Sequence, residues 1–596
     1  MEALVIDLTH GGDLIAIELE KLKLFNTIYL YDIYGSLGKN KSLNKKKLSY
    51  QENHLKSFNI KILKNEDDLN KFKNKINADF KNEDLLITSP IHSPLKFHQI
   101  RPEKVDLKKI ENNFNNFNNF YDDIDEFPPF KLDYTHHEIV KFILNYKLKN
   151  ILNNIPIIEV TGVKGKSSTV NFLKNIFKDF NPLILSSLGA ILYKNNKEYV
   201  LKKNISITPA NIIETFNLAS KIFNSKSNPL KTKSLKPKSL KLKSLKLKYS
   251  NTCLTLPKQN NSNHTNLNNL KELDTDYKIA IFESSLGTTG IGDIGVITNL
   301  IENYSIAKNT LTAKMAKKQA FNSKFVVIED ETFYKFYSND LEIIERINNK
   351  KNILNTFKID NYSLYSNKSY SNYLNTTSDI KIGNLTAKNI EISLESTKIS
   401  FEYKNIQSIS NKSLSGEFEI ETYAPSMDYI LNIINAITVA LTMDISIKTI
   451  KKSFLSKYGL KGRSSHKQIG ELNVIEEINP GLNVSSIKNS INGLKYLDGE
   501  YTIILGGEYG ITCEEINEME LINYLDDFLN EFNESHYNDD DLKIVLVDEL
   551  GKSIKSKLSH EILFFNDYNE AINLAIKNNK NILFIYRSNY SKLSKR

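Results

Sequence analysis

At 596 residues the chain is several times the usual domain size, which excludes a lone small module and predicts two to four domains with sizeable cores. Aliphatic and aromatic residues make up 40% and charged residues 25%, ordinary for a soluble globular protein, while the abundance of Asn, Lys and Ile reads as the habit of an AT-rich genome. The formal charge of +9 is local: residues 226–248 hold nine lysines and no acids, so that tract equals the whole excess and no basic face for nucleic acid remains.

Cys253 and Cys513 are too few and too far apart for a thiolate metal cage or a disulfide framework, which fits a reducing cytoplasm. The opening MEALVIDLTHGG has no basic segment followed by an apolar one, and no apolar run is long enough to span a bilayer. A cytoplasmic protein without a membrane partner is expected.

In chain order, ALVIDL, THGGD, LIAIELEKLKLF and TIYLYDI predict strand, loop, helix and strand, the βα signature of a parallel sheet. DLLITSP at 84–90 predicts a further strand, ending in a loop with His92 and Pro94. Residues 103–130 are Asn-rich and acidic and suit a linker. THHEIVKFILNYKL is a helix candidate, and IPIIEV a buried strand leading into TGVKGKSST and the helix VNFLKNIFKDF. Residues 224–270, with repeated K-S-L triplets and then an Asn-rich stretch, predict a disordered or extended surface insertion. KIAIFESS and GVITNL predict strands, and a helix is expected from about 311 to 321. Residues 360–415 lean towards strand, MDYILNIINAITVALTMD towards helix, and KGRSS marks a hinge into a last α/β unit with strands LNVIEEI, YTIILGG, KIVLVDE and NILFIY. The expected domains are 1–130, 131–458 and 459–596.

The chemistry concentrates at 161–168: Thr161, Gly162, Val163, Lys164, Gly165, Lys166, Ser167 and Ser168. Glycines let backbone amides close around phosphate oxygens, Lys166 supplies charge at the transferring phosphoryl group, and the hydroxyl of Ser167 can ligate Mg²⁺. A full Walker loop wants glycine where Val160 stands. The shortened pattern T-G-x-x-G-K-[ST] resembles the Mur ligase superfamily, with ordered matches over about 155–330 and 415–510.

That resemblance implies an α/β protein of three-domain Mur ligase-like architecture, with a phosphate-loop parallel sheet in the central domain and a Rossmann-like C-terminal domain, using ATP and Mg²⁺. It implies a magnesium-ligating role for Glu283 in FESSLG, and a carbamylated, metal-bridging lysine at Lys317, with Lys314 and Lys318 as adjacent alternatives. In the pair Asn432 and Asn435 it gives the adenine-reading role to Asn435; Arg463 becomes a phosphate or nucleotide contact, and Glu476 an acid presented to the nucleotide. Thr298, Asn299 and Leu300 match a T-N-L motif, but Asn303 and Tyr304 stand where the family has Asp and His.

DLTHGG, the THH at 135–137, ESSLGTTGIGD at 283–293 and EEINPG at 476–481 are similar to the coenzyme F(430) synthetase family of methanogenic archaea. The resemblance implies phosphorylation of a propionate on a nickel seco-tetrapyrrole, followed by carbon–carbon ring closure, with nickel entering only as part of the substrate. His10, Gly11 and Gly12 follow the first strand, where open α/β sheets bind ligands, and could hold a peripheral carboxylate; His136 and His137 share that expectation. A conventional amide ligase of the muramyl-peptide or folylpolyglutamate kind is the principal alternative, and a non-catalytic ATP-binding regulator a second.

Overall fold

The computed structural model describes residues 2–35, 52–79, 85–100, 132–152, 154–194, 197–203, 205–224, 277–301, 303–306, 311–360, 382–392, 396–455, 462, 464–494, 499–511, 515–534, 542–578, 580–588 and 593. The linker expected at 103–130, the Lys-rich insertion, both cysteines and Arg463 lie outside these residues.

The N-terminal sheet contains β1 (Glu2–Ile6), β2 (Thr27–Tyr31), β3 (Ile60–Leu63), β4 (Leu85–Ser89) and β5 (Asp133–Thr135), all parallel, in the order β3-β2-β1-β4-β5. Every residue of β1 and β4 is buried, as a parallel strand covered on both faces requires. Strand β5 takes Thr135 from the start of the stretch expected to be helix, and carries the first sheet past residue 130. The helix begins at His136, where the Glu138 carboxylate accepts from the Thr135 amide and hydroxyl and the Thr135 hydroxyl accepts from the Glu138 amide.

The central sheet has eleven strands in the order β18-β17-β16-β15-β14-β11-β6-β10-β7-β8-β9. Its parallel middle is β6 (Ile157–Thr161), β7 (Leu183–Ser186), β10 (Ala280–Glu283), β11 (Ile294–Ile297), β14 (Phe325–Glu329), β15 (Ile353–Ile359) and β16 (Gly383–Glu391). Antiparallel strands β8 (Gly189–Lys194) and β9 (Lys197–Lys202) extend one edge, and β17 (Thr397–Gln407) and β18 (Ser413–Thr422) the other. A short ribbon, β12 (Ser305–Ile306) with β13 (Leu311–Thr312), stands apart. Helices Lys166–Ile176 and Met427–Thr442 pack on this sheet through one apolar core that includes Val160, Leu173, Ile434 and Ala436.

The C-terminal sheet runs β19-β20-β24-β21-β22-β23, with β19 (Ser465–Ile469) antiparallel to β20 (Leu472–Ile478) and the rest parallel: β21 (Tyr501–Gly507), β22 (Leu542–Val547), β23 (Leu563–Phe565) and β24 (Asn581–Arg587). The expected α/β class, with a parallel central sheet and a further parallel-sheet unit after it, describes the molecule.

The first two sheets share a second core, in which Val5, Ile15, Ile143, Leu185 and Ile213 are all buried. Glu18 joins their helices: it accepts from Lys21 at 2.7 Å, from Asn217 at 3.2 Å, and from Lys147. Among the described residues no helix is long and apolar enough to cross a membrane.

Candidate active site

β6 lies between β10 and β11, so three parallel strands end side by side. The phosphate-type loop leaves β6, Glu283 closes β10, and Thr298 follows β11. Val160, where a longer loop would have glycine, is buried in the sheet core and pairs with Glu283. The strand therefore continues through Thr161, which is why the loop is short.

Both glycines are required by geometry. Gly162 has φ 145°, and a Cβ there would lie 1.9 Å from the Thr298 Oγ1; Gly165 has φ 77°, and a Cβ would lie 1.9 Å from the Asn432 Oδ1. The T-N-L motif clamps the loop: the Val163 amide donates to the Asn299 carbonyl at 3.1 Å, the Lys164 amide to the Asn299 Oδ1 at 3.1 Å, and the Thr298 hydroxyl to the Lys164 carbonyl.

Lys166 opens the helix that follows and donates from Nζ to the carbonyls of Gly162 at 2.9 Å and Val163 at 3.1 Å. Ser167 donates to the Glu283 Oε1 at 2.8 Å, and the Ser187 amide donates to its Oε2 at 2.8 Å. A hydroxyl from the start of a helix in contact with a carboxylate at a strand end forms a hard-oxygen set of the kind Mg²⁺ takes while keeping several waters.

These groups line a cleft of about 360 Å³. Its walls are Lys164 to Ser168, Ser187 and Glu283 on one side, Asn432 and Asp428 from the helix Met427–Thr442, and Glu477, Asn479, Pro480 and Gly481 from the C-terminal domain. The two domains are tied beside it by Asn489, which donates to both Asp428 oxygens at 2.9 Å.

The side chains expected at this cleft are redistributed by local geometry. Strand alternation turns Glu477, not Glu476, into it: Glu476 is buried, ion-paired with Lys467, and accepts from Ser465 at 3.2 Å. Glu477 lines the cleft and accepts from the Ser464 amide at 2.8 Å and hydroxyl at 2.9 Å. One helical turn separates Asn432, in the cleft wall against Gly165, from Asn435, which is fully buried, with neither side-chain atom hydrogen-bonded among the described residues. Sequence spacing alone favours neither asparagine; Asn432 is the one that packs against the phosphate loop.

Of the three adjacent lysines, Lys317 is fully buried and donates to the Ser285 carbonyl at 3.0 Å, two residues beyond Glu283. Lys318 pairs with Asp340 and Glu342, and Lys314 stands over the Tyr337 ring. The five-residue helix Ala313–Lys317 is placed by Asn303, whose Oδ1 accepts from the Lys314 amide at 2.8 Å, and by the Tyr304 carbonyl, which accepts from Ala313 at 2.9 Å. The residues that replace Asp and His in the T-N-L stretch thus serve to seat that helix.

The Gly-rich loop after Glu283 closes on a carboxylate of the protein itself. Glu159 accepts from the Thr289 amide at 2.8 Å and hydroxyl at 2.7 Å, from the Gly290 amide at 2.9 Å, and from the Ile291 and Gly292 amides at 3.1 Å. This anchor fixes the Thr289–Gly292 backbone.

Beyond this loop lie the histidines. His136 and His137 are 2% and 3% exposed, beneath the surface expected to touch a substrate carboxylate, and burial drives their pKa values down to about 3 and about 4. Gly11 (φ 92°) and Gly12 allow close backbone approach: a Cβ on Gly11 would lie 2.6 Å from that of Ala210, and one on Gly12 would lie 1.9 Å from the Asp7 carbonyl oxygen. His10 is part-exposed and hydrogen-bonded through Nδ1 to the Asp7 carboxylate. The sequence reading missed Asp7 and Ser187 altogether and gave His92 no role, although His92 follows a strand end just as His10 does.

Residues 466–589 match the family model described as "Coenzyme F430 synthetase CfbE, C-terminal domain". The chain is 24% identical over 565 residues to the coenzyme F(430) synthetase of Methanocaldococcus jannaschii, covering 93% of each, and 26% identical over 186 residues to that of Methanosarcina acetivorans, covering 31% of this chain and 28% of the relative. Among solved structures, MurF from Acinetobacter baumannii aligns with TM-score 0.45 at 14% identity over 76% of this chain and 77% of the other, and a pseudomurein peptide ligase type C from Methanothermus fervidus with TM-score 0.41 at 15% identity over 98% and 96%. Over nearly its whole length the chain is thus similar to a coenzyme F(430) synthetase, and residues 466–589 match the C-terminal domain of that family.

Proposed function

We propose that this protein is an ATP-dependent ligase that activates a propionate carboxylate of a nickel seco-tetrapyrrole as an acyl phosphate and closes a carbocyclic ring, giving coenzyme F(430), ADP and phosphate. The observation that carries the ATP-dependent part is the cleft in which Lys166, Ser167 and Glu283 face Asn432 and the Glu477–Gly481 segment across a domain boundary. The substrate class comes from the family, whose relatives are named for that product.

In this reading a carboxylate oxygen of the substrate attacks the γ-phosphorus, the bond to the β-phosphate oxygen breaks, and ADP leaves. A ring carbon of the same molecule then gives up a proton and attacks the acyl carbon, and inorganic phosphate departs. Lys166 exchanges its loop carbonyls for phosphoryl oxygens and stabilises charge that grows in the transition state. Ser167 and Glu283 would hold Mg²⁺, which supplies charge neutralisation at the phosphates. Lys317, free or carbamylated, would set the electrostatics behind Ser285, and Asn432, in the cleft wall, would contact the nucleotide. Because the attacking carbon is tethered near the acyl phosphate, the protein gains effective concentration without binding a second molecule.

The test supplies the purified protein with ATP, Mg²⁺ and the seco precursor, beside mixtures containing muramyl or folate substrates with amino acids. ADP should appear in equal amount with a cyclised pigment of shifted absorption, at a rate indifferent to amino acids. Amino-acid-dependent ADP release with the pigment unchanged would assign the chain to the amide ligases instead.

A further inference from the structure

The order β3-β2-β1-β4-β5 places the reversal of the N-terminal sheet between β1 and β4: the chain moves outward from β1 through β2 to β3, then returns to build β4 on the other side. Loops that leave two such strands diverge and open the crevice in which parallel α/β sheets hold ligands. Asp7 and His10 follow β1, and His92 follows β4.

There the Asp7 carboxylate, His10 and His92 each offer one ligand atom, all within 4.8 Å of one another. We propose that Asp7, His10 and His92 form a binding site for a divalent first-row transition ion such as Zn²⁺, Co²⁺ or Ni²⁺, held by the protein itself and separate from the Mg²⁺ position beside the phosphate loop.

The His92 Nε2 stands 3.4 Å from the His10 Nδ1. Two imidazole nitrogens bound tetrahedrally at about 2.0–2.1 Å from one ion would be about 3.3 Å apart, so this edge is already set. The rings meet edge to face at 85°, with centroids 4.5 Å apart, which leaves both nitrogens converging rather than stacked. The Asp7 Oδ2 completes the triangle through its hydrogen bond to His10 and must move outward for an ion to enter; the proton now shared there goes to solvent.

The carboxylate is held for this. Asp7 is fully buried, its Oδ1 accepts from the Thr9 amide at 2.7 Å, and its backbone sits at φ 82°, a conformation that costs a non-glycine residue energy and persists only when its surroundings impose it. His136 lies close enough for Asp7 and His92 to act on it electrostatically, and its buried Nε2 has no hydrogen-bond partner among the described residues.

Two imidazoles and one carboxylate suit zinc, cobalt or nickel and disfavour Mg²⁺, which prefers oxygen. Three protein ligands leave a coordination position for water or for a carboxylate oxygen of a bound molecule. The site therefore differs in ligand chemistry from the Ser167 and Glu283 pair.

The experiment uses the full chain, stripped with chelator, at neutral pH in excess Mg²⁺ and without pigment, so that its result is independent of the ring-closure reading. Equilibrium dialysis against Zn²⁺ should show one bound equivalent, and Co²⁺ should give the intense visible absorption of a low-symmetry site with nitrogen ligands. His92→Gln and His10→Gln should each weaken Zn²⁺ binding by about tenfold or more, while Glu283→Gln leaves it unchanged. Substoichiometric Zn²⁺ in the wild-type chain, equal affinity in the doubly substituted His10→Gln, His92→Gln chain, or loss of binding in Glu283→Gln would each overturn the proposal.

Discussion

Two glycine-containing loops flank neighbouring strands of the central sheet and do opposite things. The loop at Gly162–Gly165 lets Thr298 and Asn432 approach its backbone closely and sets Lys164 to Ser168 in the wall of an open cleft. The loop at Gly287–Gly292 turns three amides and a threonine's amide and hydroxyl onto the buried Glu159 carboxylate of the adjacent strand. Glycine supplies the same conformational freedom to both; what fills the amides decides whether a loop serves chemistry or architecture.

The largest effect that sharpens this contrast is kinetic. Lys166→Ala should reduce ATP turnover about a hundredfold or more, because it removes charge at the transferring phosphoryl group, with little change in melting, since its Nζ donates to two carbonyls of its own loop. Near-normal ADP release would break the first half of the comparison.

Glu159→Ala should act on the other quantity. It strands a set of buried donors and should cost the central domain about 3–5 kcal/mol, seen as a lowered thermal midpoint, with turnover falling only in step with the folded fraction. If that variant melted normally and lost turnover, the second loop would belong to the chemistry after all.

A smaller effect, outside both loops, tests whether burial can outweigh hydrogen bonds at a carboxylate that lacks such a nest. Burial, with added repulsion from Glu331 and Asp330, pushes the Glu329 carboxyl from its ordinary 4.5 up to about 8, against hydrogen bonds from Thr332. A pKa raised on folding contributes stability below the ordinary value and loses it as pH rises through the folded value. Wild-type melting should therefore decline relative to Glu329→Gln between pH 4.5 and about 8, by at most about 1.4 kcal/mol per pH unit. Parallel melting curves would contradict it.

The same contrast explains what was legible in the sequence. The phosphate-type loop, Glu283 and the T-N-L clamp are short runs that end three adjacent parallel strands, and they were legible because their order along the chain carries the family resemblance. Lys317 was legible only as one of three lysines, because a five-residue helix carries too little periodicity to say which face is buried. Glu476 against Glu477 and Asn435 against Asn432 turned on side-chain direction, which a one-residue slip of strand pleat or one helical turn reverses. The Asp7, His10 and His92 cluster joins residues up to 85 positions apart through a strand order that no local pattern states. Arg463, outside the described residues, stays an expectation from family resemblance.

The central claim is that the cleft makes an acyl phosphate. The direct measurement uses seco precursor carrying ¹⁸O in its propionate carboxylates, with unlabelled ATP, and mass analysis of the released phosphate. One ¹⁸O atom should pass from the reacting carboxylate to each phosphate as the ring closes, because the bridging oxygen leaves with phosphorus. Phosphate free of ¹⁸O alongside cyclised pigment would contradict the account.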